Sequence, residues 1–137
     1  MPDEYSDSGD PVNWLRYAKS DLALAQVLLT PDMIRGSLCF HAQQAAEKAL
    51  KAILIFKNIP YPKTHNIRTL LDLLPQEIVL PHDVDEAAIL TDYAVVSRYP
   101  NNIEEITEEE YLEAVKLARA VFIWAESMIN SPADLEG

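Results

Sequence analysis

The sequence has few of the residues that crosslink a chain or build phosphate-binding loops. Its 137 residues include a single cysteine, Cys39, and three glycines. One cysteine excludes an intramolecular disulfide and a zinc site made of several thiolates, and the helical pattern around it favours a buried thiol. The glycines stand too far apart for a phosphate-binding loop. We therefore expect no cofactor.

Long apolar runs are also missing. No stretch approaches the ~20 apolar residues that a membrane helix needs. The start of the chain is acidic and polar, which does not fit a signal peptide. Hydrophobic residues nevertheless make up 49% of the sequence, which predicts a folded core rather than disorder. We expect a cytoplasmic protein without membrane attachment.

Basic residues are scarce and unevenly distributed. Eleven Lys and Arg stand against 22 Asp and Glu, a net charge of −11 that excludes a general nucleic-acid binder. Residues 1–68 carry +1 and residues 69–137 carry −12. Within 33–68, six basic residues and two histidines accompany one acid, Glu47. This segment forms either a face for phosphate or an acidic partner, or the ordinary solvated side of a helix.

Apolar spacing predicts an all-α protein, an up-and-down bundle of about five helices, four long and one short. Asp10 before Pro11 marks the first helix start, and its apolar stripe continues to Leu29. Asp32 is the expected cap of a second helix that reaches about Phe56. One face of that helix is apolar and the opposite face is polar.

The remaining helices follow from turn and cap signals. A short helix is predicted over 65–74 with Thr64 as its cap, and a fourth over 83–98, apolar on several faces. Pro100 ends that helix because the residue before a proline disfavours helical geometry. Thr107 and Glu110 form a capping box at the start of the last helix.

The domain organisation is a single unit. The bundle is predicted over 11–130, between a disordered N-terminal tail at 1–10 and a C-terminal tail at 131–137. The last helix carries an apolar seam with spacings of four and three, long enough to cross a bundle. The fourth helix is more apolar than one small bundle readily buries, which predicts a homodimer.

Three separate segments carry a family resemblance. They are the polar and alanine-rich run at 40–52, the pair Thr64-His65, and the run Ser97-Arg98-Tyr99-Pro100. In this order, on these predicted elements, the chain resembles the HEPN family of prokaryotic helical domains over about 12–129. The resemblance implies a helix bundle, usually homodimeric and often encoded beside a minimal nucleotidyltransferase as a toxin–antitoxin pair. It also implies that RNA is a candidate ligand, because many of the toxins are metal-independent RNA endonucleases.

The nuclease signature of that family is an arginine followed, after four to six residues, by a histidine. Such a pair can manage the 2′-hydroxyl proton and the phosphate charge without metal. Arg98 lies in the right region, but the corresponding later positions hold Ile103, Glu104 and Glu105. Arg35 and His41 also have a matching spacing. Helix geometry separates those two side chains by 240°, so they cannot face one phosphate within a protomer.

The candidate catalytic residues are Arg98, His41 and His65, each with a structural alternative. Arg98 either pairs with a carboxylate such as Glu47 or faces a ligand. His41 is a surface or interface histidine or part of a phosphate site, and His65 either makes a structural hydrogen bond or lies beside an anion. The candidate binding residues are Lys48, Lys51 and Glu47. No metal site is expected, because the histidine spacings match no common ligand pattern.

Two classes of function follow from the sequence. The first is an interaction module, a HEPN protein that binds or is modified by a nucleotidyltransferase and has no catalytic activity of its own. The second is an RNA endonuclease toxin with a rearranged site using Arg98 and His41 or His65. The missing histidine after Arg98 favours the first class, and the sequence leaves open any RNA or nucleotide that either would bind.

Overall fold

The computed structural model describes residues 9–96 and 105–130, and these form helices joined by short loops without any strand. The elements are α1 Pro11–Ala25, α2 Arg35–Phe56, α3 Ile67–Asp72, α4 His82–Glu86, a 3-10 helix Ala87–Asp92, α5 Tyr93–Val96 and α6 Glu108–Asn130. The all-α bundle predicted from the sequence is confirmed, with α4, the 3-10 helix and α5 together forming one of its five helical segments.

Two of the predicted helix starts are confirmed in atomic detail. The side chain of Asp10 accepts a hydrogen bond from the Val12 amide at 3.1 Å, and Pro11 follows in the first turn. At α6, Thr107 Oγ1 accepts from the Glu110 amide at 3.0 Å, and Glu110 Oε1 accepts from the Thr107 amide at 2.9 Å. Both caps satisfy amides that have no partner inside the helix.

The long helix α2 lies at the centre of the bundle and packs on α1 and α6. Its alanines Ala42, Ala45 and Ala49 are fully buried, and such small side chains let neighbouring helices approach closely. Cys39 is buried as expected, and burial, followed by the negative charge of Glu110, raises the pKa of its thiol to about 12 against the opposing effect of Arg35. The apolar seam of α6 is also confirmed, since each member is buried or half-buried: Tyr111, Val115, Ala118, Phe122, Ala125 and Ile129.

The predicted extents of the first two helices are wrong at one end each. The helix α1 ends at Ala25, and Leu29 lies beyond it, 39% exposed. The residue before α2 is Ile34 in extended geometry without a side-chain cap, so Asp32 does not cap this helix. The end of α2 at Phe56 is as predicted. Phe56 itself is 37% exposed, because it is the last helical residue, where the chain turns into the loop before α3.

The third and fourth helices also differ from prediction. Asn66 caps α3 by accepting from the Thr69 amide at 3.1 Å, whereas Thr64 Oγ1 accepts from the Asn66 amide one step earlier. The fourth helix is not continuous, since a 3-10 helix separates α4 from α5. In that 3-10 helix Thr91 Oγ1 accepts from the Ile67 amide at 2.9 Å, a tertiary contact that helical periodicity does not encode.

Several predicted features lie outside the described residues. Arg98 and the helix end assigned before Pro100 fall within residues 97–104. Residues 1–8 of the N-terminal tail and the C-terminal tail at 131–137 are also outside. Within the described ranges, every helix is too short or too polar to cross a membrane.

Candidate functional site on the polar face of α2

The first polar cluster joins α2 to α1 through Asp21. Nδ1 of His41 lies 3.0 Å from Oδ1 of Asp21, and Nζ of Lys48 lies 2.7 Å from Oδ2. His41 and Lys48 are seven residues apart and therefore lie on one side of α2. Asp21 is only 8% exposed. Its buried charge is thus compensated by two groups from the neighbouring helix.

The second cluster is centred on Glu47, which is 3% exposed. Nζ of Lys51 lies 2.7 Å from Oε2, one helical turn along α2. Nδ1 of His65, from the loop before α3, lies 3.0 Å from Oε1. The Lys51 ammonium also lies 5.6 Å from the centre of the Tyr61 ring, a cation–π contact. Glu47 therefore holds the loop before α3 against α2.

Two glutamine amides complete this cluster. Nε2 of Gln43 donates to Glu47 Oε1 at 3.1 Å and to the backbone oxygen of His65 at 3.0 Å. Nε2 of Gln44 donates to Gln43 Oε1 at 2.8 Å and to Glu47 Oε1 at 3.2 Å. Gln43 is completely buried, and its partners satisfy an amide whose burial would otherwise be costly.

The ionised form of Glu47 is stabilised by these neighbours. Burial by itself raises the pKa of this carboxyl, but the charge and hydrogen bond of Lys51 and the hydrogen bonds of His65 and Gln43 outweigh burial, and the pKa falls below its ordinary value. A carboxylate that accepts several hydrogen bonds remains charged even in an apolar setting. Glu47 is accordingly a structural anion at neutral pH.

His65 is the most exposed member of the second cluster, with a side chain that is 62% accessible. Because a carboxylate can only accept, Nδ1 carries the proton in its bond to Glu47. In the neutral ring, Nε2 is then the acceptor, and it makes no hydrogen bond with another described residue. An imidazole oriented in this way is chemically suited to take up a proton or to bind a donor.

The predicted site residues fall into separate groups. Lys51 and His65 share Glu47, whereas His41 and Lys48 share Asp21. The two candidate histidines are thus held by different carboxylates.

The two arginines of the candidate pairs are also separate from these clusters. The Arg35 guanidinium donates to the Ile106 backbone oxygen at 3.2 Å, so Arg35 and His41 contact different elements, in agreement with the helix geometry. Arg98, proposed as a partner of Glu47, lies outside the described residues, and the described partners of Glu47 are the lysine, histidine and glutamines above.

Sequence reasoning missed Asp21 and Gln43. Asp21 interrupts the apolar stripe of α1, between Ala18 and Ala25 on the buried side, and a charge at such a position indicates a buried ion pair. Gln43 gave no comparable signal, because its neighbours one turn away along α2 are Cys39, Phe40, Ala46 and Glu47, a mixture of apolar and charged residues. In the described part of the chain, no three His, Cys, Asp or Glu side chains are grouped to hold a metal ion.

Comparison with known proteins identifies the family. The family model described as HEPN domain matches residues 12–128. A protein of Methanocaldococcus jannaschii named "Putative toxin MJ1304" is 29% identical over 135 aligned positions, and the alignment covers 84% of this chain and 88% of that protein.

Two solved structures are similar along most of the chain. The crystal structure of TT1696 from Thermus thermophilus has a TM-score of 0.74 and 33% identity, covering 85% of this chain and 96% of the other. The crystal structure of ST0689, described as an archaeal HEPN homologue, has a TM-score of 0.68 and 27% identity, covering 89% of this chain and 99% of the other. The chain belongs to the HEPN domain family.

Proposed function

We propose that this chain is the HEPN component of a toxin–antitoxin-type pair and acts as the binding partner of a minimal nucleotidyltransferase in the cytoplasm, without nuclease activity of its own. The family match and the relative named as a toxin support the first part. The nucleotidyltransferase partner comes from the family resemblance. The charge arrangement on α2 supports the absence of nuclease activity.

The pairing of the basic residues on α2 is the observation that carries this proposal. Lys48 and Lys51, the candidate phosphate-binding lysines, each lie 2.7 Å from a buried carboxylate. His41 and His65 contact the same two carboxylates. A cation must leave its buried anion to neutralise a phosphate, and breaking such a pair is costly. The two lysines that the sequence offered for phosphate binding are therefore compensated by carboxylates of the chain itself.

The experiment is co-purification with a tagged nucleotidyltransferase. The gene beside the one for this chain should encode a minimal nucleotidyltransferase, and the two proteins should elute as one complex in size-exclusion chromatography. An unrelated nucleotidyltransferase of similar size serves as the control and should elute separately. Separate elution of the neighbouring protein, or a neighbouring gene of another kind, would overturn the proposed partnership.

The alternative is a metal-independent RNA endonuclease with a rearranged site, and one observation favours it. His65 presents an accessible ring whose Nδ1 is held by the buried Glu47, the arrangement in which a carboxylate orients a catalytic base. In this alternative Nε2 of His65 accepts the 2′-hydroxyl proton, and Arg98 supplies the phosphate contact.

Two histidine variants distinguish the alternative from the main proposal. If the chain inhibits growth through His65, His65→Asn should abolish growth inhibition on overexpression while His82→Asn leaves it unchanged. His82 is a matched control because it is also exposed and its side chain makes no hydrogen bond or ion pair with another described residue. Growth inhibition that survives His65→Asn would eliminate the alternative site.

A homodimer also forms part of the proposal, but the surface predicted for it needs correction. The fourth helix was expected to be apolar nearly all round. In the described part of that segment, residues 82–94, Ile89 is the one large hydrophobic side chain that is clearly exposed, at 49%. The homodimer therefore rests on the family resemblance, and light scattering at micromolar concentration should give twice the monomer mass.

A further inference from the structure

His65 is an exposed histidine whose ring is oriented from inside the bundle. Its side chain is 62% accessible, and its Nδ1 lies 3.0 Å from Oε1 of the buried Glu47. The loop before α3 has other anchors, since the His65 backbone oxygen accepts from Gln43 Nε2 at 3.0 Å and the side chain of Tyr61 is buried. The bond from the ring therefore does more than hold the loop, because it fixes the direction of the imidazole.

The other described histidines lack this combination of exposure and orientation. Nδ1 of His41 also contacts a carboxylate, at 3.0 Å from Asp21, but the His41 side chain is only 33% accessible. The side chain of His82 is exposed and makes no hydrogen bond or ion pair with another described residue. Of the described histidines, His65 is the one that joins high exposure with an orienting carboxylate.

This orientation directs a nucleophilic nitrogen toward solvent. Nδ1 carries the proton in the bond to Glu47, so Nε2 of the neutral ring keeps its lone pair. Histidine nitrogens of this kind form covalent bonds with electrophilic groups. When Nε2 forms such a bond the ring becomes a cation, which a carboxylate beside Nδ1 stabilises. Burial raises the pKa of Glu47, but Lys51, His65 and Gln43 outweigh burial and lower it, so this carboxylate is charged.

The charges near His65 in the sequence favour an anionic electrophile. Residues 48–68 hold five Lys and Arg and no Asp or Glu, although the whole chain carries −11. Lys63, two residues before His65, is exposed and takes part in no ion pair with a described residue. An ammonium group stabilises the negative charge of a phosphoryl group. A small phosphorylated molecule meets this local charge, whereas a long polyanion also meets the acidic remainder of the chain.

We propose that His65 is a phosphorylation site, at which Nε2 takes the phosphoryl group of a small acyl phosphate. The Nε2 lone pair forms the N–P bond, and the bond between phosphorus and the acyl oxygen breaks. The electron pair of that bond leaves with the donor as a carboxylate. The proton stays on Nδ1 beside Glu47, so the step needs no further reactant. This site is separate from the nucleotidyltransferase partnership, since neither depends on the other.

The test is incubation of the full chain with acetyl phosphate, followed by phosphorus NMR and intact mass spectrometry. One phosphoryl group per chain is expected, in an N–P bond that is labile to acid and stable to base. His65→Asn should abolish this modification. His82→Asn removes another exposed histidine, one without an orienting carboxylate, and should leave the rate of phosphorylation unchanged.

Two carboxylate variants test the positioning role of Glu47. Glu47→Gln should slow phosphorylation at least about tenfold, because the cationic ring loses its anion. Asp21→Asn is a matched change at a second buried carboxylate, which contacts His41 and not His65, and it should change the rate less than about twofold. Nitrogen NMR of the unmodified parent chain should show His65 protonated at Nδ1, a readout that does not depend on any variant.

Four results would overturn the proposal. The first is absence of an N–P signal after incubation with acetyl phosphate, including the case in which only lysines are acetylated. The second is phosphorylation of His65→Asn at the parent rate, and the third is the parent rate in a folded Glu47→Gln chain. The fourth is a neutral His65 ring protonated at Nε2. The nucleotidyltransferase can co-purify in all four cases, so failure of this site is distinguishable from failure of the proposed function.

Discussion

Glu47 and Asp21 determine the properties of the α2 face at the scale of single residues. The sequence analysis named Arg98 as a possible partner of Glu47, and Arg98 lies outside the described residues. In the structure Glu47 pairs with Lys51, one turn along the helix. Spacing along one helix is readable from sequence. Glu47 and His65 are 18 residues apart in the sequence, and Asp21 and His41 are 20 residues apart, so these contacts join different elements. They depend on packing, which a single sequence does not specify.

Replacement of Glu47 by glutamine tests how much this cluster contributes to the stability of the fold. Glu47→Gln removes the charge that Lys51 and His65 share and leaves a half-buried ammonium without its anion. We expect a loss of about 1–3 kcal/mol in the free energy of unfolding by urea. Glu77→Gln, at an exposed loop position, should change that free energy by less than about 0.5 kcal/mol. An equal loss of unfolding free energy in both variants would show that the cluster does not stabilise the fold.

The same carboxyl predicts a dependence of stability on pH. The pKa of Glu47 is lower in the folded chain than its ordinary value of 4.5, so the folded state favours the ionised form. Its contribution is fully present above that value and is lost as pH falls from there through the lower folded pKa. Unfolding curves should therefore show a loss of stability in this acid range, and the loss should be smaller in Glu47→Gln. A variant with the same acid dependence as the parent chain would contradict this assignment.

At the scale of elements, the sequence predicted correctly the two helix starts that have a local capping side chain, Asp10 and Thr107. It placed the caps of α2 and α3 wrongly and missed the interruption of the fourth helix. Asp10 and the Thr107–Glu110 box act within a few residues, so local chemistry identifies them. The prediction of one continuous fourth helix was wrong. A 3-10 helix interrupts it, and Thr91 within that 3-10 helix accepts a hydrogen bond from the start of α3. Ile34 precedes α2 without a side-chain cap, and no local pattern marks such a start.

The capping box at α6 provides a direct test at this scale. Thr107→Ala removes the hydroxyl that accepts from the Glu110 amide, and we expect a loss of about 1 kcal/mol in the free energy of unfolding. Thr30→Ala, in the exposed loop after α1, should be nearly neutral. Thermal unfolding followed by circular dichroism measures both, and a neutral Thr107→Ala would show that the cap does not stabilise α6.

The charge of the whole molecule limits its interactions with RNA. The net charge of −11 repels a polyanion, and Lys48 and Lys51 of α2 are already paired with carboxylates. In fluorescence anisotropy we expect weak binding to random RNA at low salt, disappearing at about 0.15 M salt because counterion release provides little gain. Tight binding that persisted at about 0.5 M salt would indicate a dedicated RNA site.

The absence of nuclease activity is the central claim at this scale, and one assay addresses it directly. The purified chain is incubated with a fluorescently labelled single-stranded RNA in the presence of a metal chelator. The paired lysines of α2, together with His41 and His65 on the same two carboxylates, predict a cleavage rate equal to that of buffer alone. Cleavage that continues with the chelator and disappears in His65→Asn, but not in His82→Asn, would contradict the proposal and establish the endonuclease alternative.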